Sequence, residues 1–220
     1  MDALSQILAR IKTNQKNTME KIQLYNDALG EKQLNRIIEI LKDGDLIIIP
    51  TDTLYAIACD ALNPKAIEKV CRLKGINPEK TNLSILCNDI SMVSEYARFD
   101  NYGFKLLKEN TPGPFTFLFR AASSLPRAFK GRKTVGVRIP ACECNREIIA
   151  RLNNPLLSTS INFNDEDFGR NPELIAETYE GKVQAIIIGD EGSLSPSAII
   201  DCTSNDARLL REGPKEIIGL

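Results

Sequence analysis

The sequence predicts a mixed α/β fold, one sheet with helices packed against it. Two observations carry that prediction. Apolar positions alternate along the chain between helical spacing and short continuous runs, as they do where helices and buried strands follow one another. Toward the C-terminal end the strand-like runs lie close together, so some neighbours pair as hairpins and the sheet is mixed. A third observation concerns ligands. Leu46-Ile47-Ile48-Ile49 runs into Pro50-Thr51-Asp52-Thr53-Leu54-Tyr55, and Leu156-Leu157 runs into Ser158-Thr159-Ser160-Ile161-Asn162. Each reads as a buried strand ending in hydroxyl and amide side chains. Ligands on helix-flanked sheets bind beyond the carboxyl ends of the strands. Both tips are therefore read as parts of a site for a small polar molecule or a nucleotide.

The elements follow in order. Residues 4–25 place Leu4, Ile7, Leu8, Ile11, Met19, Ile22 and Leu24 among Lys and Gln, which predicts an amphipathic helix or two short ones. The stretch 27–30 breaks it. Residues 31–42 predict a helix with Leu34, Ile37, Ile38 and Leu41 on one face, and Asp43-Gly44-Asp45 turns the chain into a strand over 46–49. Asn63-Pro64 opens a helix over 65–73. A polar loop over 74–82 leads to a strand over 83–87, then helices over 91–96 and 102–110. Thr111-Pro112-Gly113-Pro114 is a turn. Strands over 115–120 and 134–139 flank a basic loop. A helix over 144–152 precedes the second hydroxyl-tipped strand. A helix over 172–179 and strands over 184–188, 197–201 and 208–211 complete the chain. No repeat or low-complexity tract interrupts this pattern. The reading is one domain over 29–220 with an N-terminal helical extension over 1–28.

Composition narrows the chemistry. A net charge of -1 supplies no global field for nucleic acid, so any basic surface is local. The chain has no histidine. That excludes a Ser-His-Asp triad, a Cys-His pair, His-based zinc catalysis and a His general base. Six cysteines are scattered, mostly in apolar surroundings where a thiol acts as a small hydrophobe. Cys142 and Cys144 form a C-x-C without a second pair, too few ligands for zinc, and are read as structural thiols. With no secretory core and no long apolar span, the expected location is the cytoplasm, off the membrane.

The candidate chemistry rests on cations and hydroxyls. Lys74, before Gly75 at a helix exit, suits a phosphate or carboxylate, or is a solvated loop cation. Arg120, Arg127, Lys130, Arg132, Lys133 and Arg138 are the densest basic stretch. Arg138 interrupts the apolar strand Val135-Gly136-Val137-Arg138-Ile139-Pro140, so it needs either a structural carboxylate or an anionic ligand. Arg211 poses the same question. Neither glycine-rich phosphate signature is present.

Taken together, PTDTLY, PGPFTFLFRA, TVGVRIP, PLLSTSIN, PSAIID and LLREG occur in that order. This series resembles the YrdC-like family of threonylcarbamoyl-AMP synthases over residues 45–213. The resemblance implies an open, twisted α/β sheet around a concave, positively charged cleft. It also implies a reaction in which L-threonine, bicarbonate and ATP, with Mg²⁺ on its phosphates, give threonylcarbamoyl-adenylate and pyrophosphate. That product serves N6-threonylcarbamoyladenosine formation in tRNA. By position, Thr53, Tyr55, Arg138 and Ser197 would contact the substrate. Lys74, Thr116, Ser158, Ser160, Asn162 and Arg211 would hold the nucleotide, with Lys74, Ser160 and Asn162 closest to the chemistry. No protein-bound metal is implied.

The chain departs from that family at four places. The K-x-R-P arginine is replaced by Ile76 in Lys74-Gly75-Ile76-Asn77-Pro78, with Lys80 nearby as a substitute cation. Cys87 stands where synthases carry a histidine. Ala56 and Ala58 replace glycines. The S-G pair after Asn162 is missing. These changes resemble the YciO branch. A second reading is therefore a paralogue that binds tRNA or double-stranded RNA on the same basic face without turnover. A third is a hydrolase of an acyl-adenylate with Asp52 as base, against which Asp52 is a turn residue.

Overall fold

The computed structural model describes residues 18–129, 133–161, 169–190, 192–193, 195–204 and 206–220. Eleven strands form one mixed, open sheet in the order β1-β9-β2-β3-β8-β4-β7-β6-β10-β11, with β5 pairing β6 off this path. The strands are β1 Glu20–Gln23, β2 Ile47–Ile49, β3 Ala56–Asp60, β4 Ser84–Leu86, β5 Ala97–Arg98, β6 Phe115–Ala121, β7 Thr134–Arg138, β8 Leu156–Ser160, β9 Ala185–Ile188, β10 Ala198–Asp201 and β11 Arg208–Arg211. The α-helices whose bounds lie among the described residues are α1 Glu31–Lys42, α2 Pro64–Lys74, α3 Ile90–Tyr96, α4 Asn101–Asn110, α5 Glu143–Leu152 and α6 Pro172–Tyr179.

Local chemistry explains the helices. Asn63 caps α2, its side chain accepting from the Lys65 and Ala66 amides, and Pro64 opens the first turn. Gly75 ends the helix with φ +63, a left-handed conformation that L side chains resist. In α1 the apolar stripe Leu34, Ile37, Ile38 and Leu41 is buried, with Glu31 in the first turn and Lys42 in the last matching the helix dipole.

The two faces of the sheet are covered unequally, and that positions the site. One face carries Ile48, Ile57, Ile85, Val135, Val137, Phe117, Phe119, Leu157 and Ile200, packed in a single cluster with residues of α2, α3, α4 and α6. The opposite face carries Ile47, Ile49, Ala56, Ala58, Leu86, Leu156 and Ile187, covered by α1 and α5. That cover stops at β4. Over β7, β6, β10 and β11 the same face presents Arg138, Thr116, Ile199 and Arg211 to a cavity. Alternation along each strand thus puts apolar residues under the helices and polar ones in the open half.

Three readings of the sequence are corrected. Glu20–Gln23, expected within a helix, is a strand lying parallel to β9, with Glu20 opposite Ala185 and Gln23 opposite Ile188. The backbone of β9 offers hydrogen bonds that a lone amphipathic helix would not satisfy, and Met19 and Ile22 are buried by this pairing. Residues 4–17 of the expected helix lie outside the described residues. Ala56–Asp60, given no element in the sequence reading, forms β3, buried throughout. Its small Ala and Cys side chains, covered on both faces, leave no alternation to detect. Finally, Ser158, Thr159 and Ser160 do not lie beyond a strand end. They belong to β8, paired with Ala58, Ile57 and Ala56 of β3.

Candidate functional site

A row of residues crosses the open half of the sheet. Leu86 lies opposite Leu156 and Arg138, and Ile199 lies opposite Thr116 and Arg211. Phe117 pairs with Val137, which puts Thr116 beside Arg138 and joins the two halves of the row. One step away, Ser84 lies opposite both Ser158 and Gly136. A cavity of about 250 Å³ sits on this surface, lined by Arg138, Arg211, Thr116, Ser158, Ser160 and Ser197 together with Ser84, Asn82 and Thr81. Ile76, Leu83, Leu86 and Ile199 supply its apolar wall. Its two charged lining residues among those described are both arginines.

Gly136 explains part of this shape. A Cβ there would stand 2.3 Å from Ser84 Oγ, so the glycine leaves the space that the serine hydroxyl fills. The Gly in TVGVRIP is thus a packing requirement at the cavity wall.

Arg138 is the best-held cation. It is 7% exposed. Its Nη2 donates to Asp52 Oδ1 at 2.5 Å and its Nη1 to Thr53 Oγ1 at 2.9 Å. The PTDT segment between β2 and β3 is folded to present these acceptors. Thr51 Oγ1 donates to the Leu54 carbonyl at 2.7 Å and accepts from the Thr53 amide at 3.1 Å. Burial pulls the Arg138 pKa down, and Asp52 works against that pull. Two buried atoms of the pair, Asp52 Oδ2 and Arg138 Nε, have no hydrogen-bond partner among the described residues. Unpaired polar atoms buried beside a cavity are costly unless a ligand meets them.

The other expected residues take distinct places. Arg211 Nε and Nη2 both donate to the Ser197 carbonyl, at 2.9 and 2.8 Å, and Nη2 also reaches Ser197 Oγ at 3.3 Å. Burial and then the like charge of Arg138 lower the Arg211 pKa, so the two guanidiniums feel each other across the cavity. Thr116 Oγ1 and Ser197 Oγ are 2.9 Å apart. Lys74 Nζ donates to the Ser160 carbonyl at 2.9 Å, and its half-burial lowers its pKa. Thr53 sits behind Arg138 and contributes through it. Asn162 lies outside the described residues, as do Lys130 and Arg132.

Tyr55 is a correction. Expected beside the substrate, it is fully buried in the core, with its hydroxyl accepting from the Gly189 amide and donating to the Asp190 carbonyl, each at 3.1 Å. Burial pushes its pKa up to about 12. Asp52 takes a place the sequence reading, which weighed a base against a turn residue, did not assign: its carboxylate is the ion-pair partner of Arg138. Arg138 needed either a carboxylate or a ligand, and it has the first with room for the second. Sequence reading missed Ser84, Asn82 and Ile199. Ser84 alone left a trace, as the polar residue at an alternating position in Leu83-Ser84-Ile85.

Arg72 and Glu68 pair on the solvent side of α2, and Lys69 pairs with Asp45, so these cations are spent away from the cavity. No cluster of three metal-ligating side chains occurs among the described residues. No helix among them is long and apolar enough to cross a membrane.

Comparison with known proteins places the chain in a family. The family model named Sua5/YciO/YrdC, described as telomere recombination, matches residues 39–213. The YciO protein of Escherichia coli (strain K12) is 32% identical over 197 residues, which cover 88% of this chain and 95% of that protein. The crystal structure of E. coli YciO matches with a TM-score of 0.83, covering 90% of this chain and 97% of that one. The crystal structure of P. abyssi Sua5 complexed with L-threonine matches with a TM-score of 0.79 and 26% identity, covering 89% of this chain and 57% of that one. The fold is thus shared with these proteins, and the chain belongs to the Sua5/YciO/YrdC family.

Proposed function

We propose that this protein joins L-threonine, bicarbonate and ATP into threonylcarbamoyl-adenylate, releasing pyrophosphate, as a step toward N6-threonylcarbamoyladenosine in tRNA. The observation that carries this reading is the convergence of Arg138, Arg211, Thr116, Ser158, Ser160 and Ser197 on one cavity without a lining carboxylate among the described residues. Likeness to a Sua5 that was solved with L-threonine supports the amino-acid substrate.

The chemistry needs positioning and charge neutralisation rather than a covalent nucleophile, so the absence of histidine is no obstacle. Forming an adenylate with loss of pyrophosphate means attack by the carbamate oxygen at the α-phosphorus. Arg211, with Lys74 and the Ser and Thr hydroxyls, would neutralise the phosphate oxygens as charge moves onto pyrophosphate. Arg138 would attract the threonine carboxylate, and Asp52, which is outside the cavity lining, would hold the guanidinium in place. Mg²⁺ would arrive on the ATP phosphates as part of the substrate.

The test is pyrophosphate release by purified protein given threonine, bicarbonate, ATP and Mg²⁺, with calorimetry of ATP binding alone and then with threonine. Release that requires all three substrates supports the reading; ATP binding without release rejects the synthase. RNA binding without turnover is the second reading, favoured by Arg211 on the exposed strand β11. Binding of double-stranded RNA that weakens steeply with salt, together with no pyrophosphate release, would select it.

A further inference from the structure

A second constellation of reactive groups lies beside the cleft. Cys142 occupies the N-cap position of α5, without a hydrogen bond from its side chain to the helix amides, and Cys144 sits in the first turn. Their sulfurs are 3.2 Å apart. The two thiols differ in access: Cys142 is partly exposed, whereas Cys144 is buried. The remaining cysteines do not compete. Cys59, Cys71 and Cys87 are buried, and burial pushes each of their thiols up. Cys202 is partly exposed but its thiol is pushed up to about 12 by burial and then by Asp201. Cys142 alone among the six moves down. Its sulfur shares a hydrogen bond with Cys144, and that contact at the start of a helix outweighs the opposing effect of burial. Cys144 moves up, through its contact with Cys142 and then through burial.

We infer that Cys142 and Cys144 form a dithiol that exchanges with low-molecular-weight disulfides, Cys142 attacking and Cys144 resolving. A partly exposed thiolate at a helix N-terminus is the attacking partner that such exchange requires. In the first step Cys142 Sγ⁻ displaces one thiolate from RS–SR and leaves a mixed disulfide on Cys142. The Cys144 proton then passes to solvent or to the departed thiolate. Cys144 Sγ attacks Cys142 Sγ, and the second RS⁻ leaves. The balance is one RS–SR reduced to two RSH and the protein dithiol oxidised to one disulfide. Because the resolving sulfur is already in contact, the second step needs no rearrangement of distant chain.

The pair is tied to the cleft. Asn145, the next residue after Cys144, is fully buried and donates from Nδ2 to the Pro50 carbonyl at 2.8 Å, immediately before the Thr51–Thr53 segment that holds Arg138. The Cys142 charge is also felt by Arg138.

The probe is bis(2-hydroxyethyl) disulfide on full-length protein, followed by intact mass and peptide mapping after acid quench. Wild type is expected to gain a Cys142–Cys144 disulfide and to retain no adduct, with a transient adduct on the Cys142 peptide at early times. Cys144→Ser and Cys144→Ala should each trap that adduct on Cys142, and Cys142→Ser should leave Cys144 unmodified. A stable adduct on Cys142 in wild type overturns the resolving role. First reaction at Cys202, or no reaction at either C-x-C sulfur, overturns the proposal altogether. The wild-type time course decides these points even if a Cys144 variant does not fold.

Discussion

Arg138 concentrates the residue-scale physics, because a guanidinium this deeply buried is stable only while its partner is charged. Asp52→Asn keeps the shape but leaves the arginine without a counter-ion. Removing one member of a buried pair costs about 3–5 kcal/mol. Urea unfolding of Asp52→Asn should show a loss in that range, and adding Arg138→Met should recover much of it. A loss as small as that of an exposed pair would mean that Asp52 does not sustain Arg138. Gly136 makes a steric prediction at the same scale. Gly136→Ala drives a methyl into Ser84 Oγ and should cost about 1–3 kcal/mol, as overpacking does. The double variant Gly136→Ala with Ser84→Gly should regain most of it in a thermal melt. Equal melting temperatures for wild type and Gly136→Ala would show that the close approach is not real. Arg138 was legible as a residue in need of a partner, since a charge inside an apolar strand always asks for one. Which partner it takes was not, because Asp52 is 86 residues away in the chain.

Among the elements, β1 matters most for stability. It was hidden because Met19, Ile22 and Leu24 fit a helical stripe as well as a strand, and only the free edge of β9 decides between them. Truncation to begin at Asp27 removes the β1 pairing and the burial of Met19 and Ile22. Burying a side chain of that size contributes about 1.5–3 kcal/mol. The truncated protein should therefore unfold at clearly lower urea, and it should associate through the uncovered β9 edge. Denaturation with size-exclusion chromatography checks both. Unchanged stability and a monomeric profile would deny β1 a place in the fold. By contrast, α1, α2 and α6 were legible nearly to the residue. The α1 stripe with its Asp43-Gly44-Asp45 stop, and the Asn63-Pro64 start and Gly75 exit of α2, agree in the sequence itself, while the Asn171 cap of α6 is seen in the structure.

On the scale of the whole molecule, the site is what remains when two helices cover only part of one sheet face. Arg211 lies at the margin of that opening, on an edge strand that is exposed throughout. Arg211→Ala should cost about 0.5–1.5 kcal/mol of stability, because it removes the hydrogen bonds to the Ser197 carbonyl. Its loss should still weaken ATP binding by about tenfold or more, because a hydrogen bond to a charged group is worth about 1.5–3 kcal/mol. Calorimetry checks this, and unchanged ATP affinity would remove Arg211 from the phosphate site. Ile76 marks the same opening. It lines the cavity and packs against the core beneath, so the wall is apolar where the family resemblance leads one to expect an arginine.

The amino-acid sequence by itself determined the mixed α/β class, most helices and strands, and the residue types that meet at the cleft. Those depend on periodicity, caps and turns, which act over a few neighbouring residues. Only the tertiary structure decided that Tyr55 serves the core, that Asp52 neutralises Arg138, that Ser158 and Ser160 are strand residues, and that Cys142 and Cys144 touch. Each of these depends on which strands lie side by side and where helix cover ends, and such choices are made by burial across the whole sheet rather than by any local run of residues.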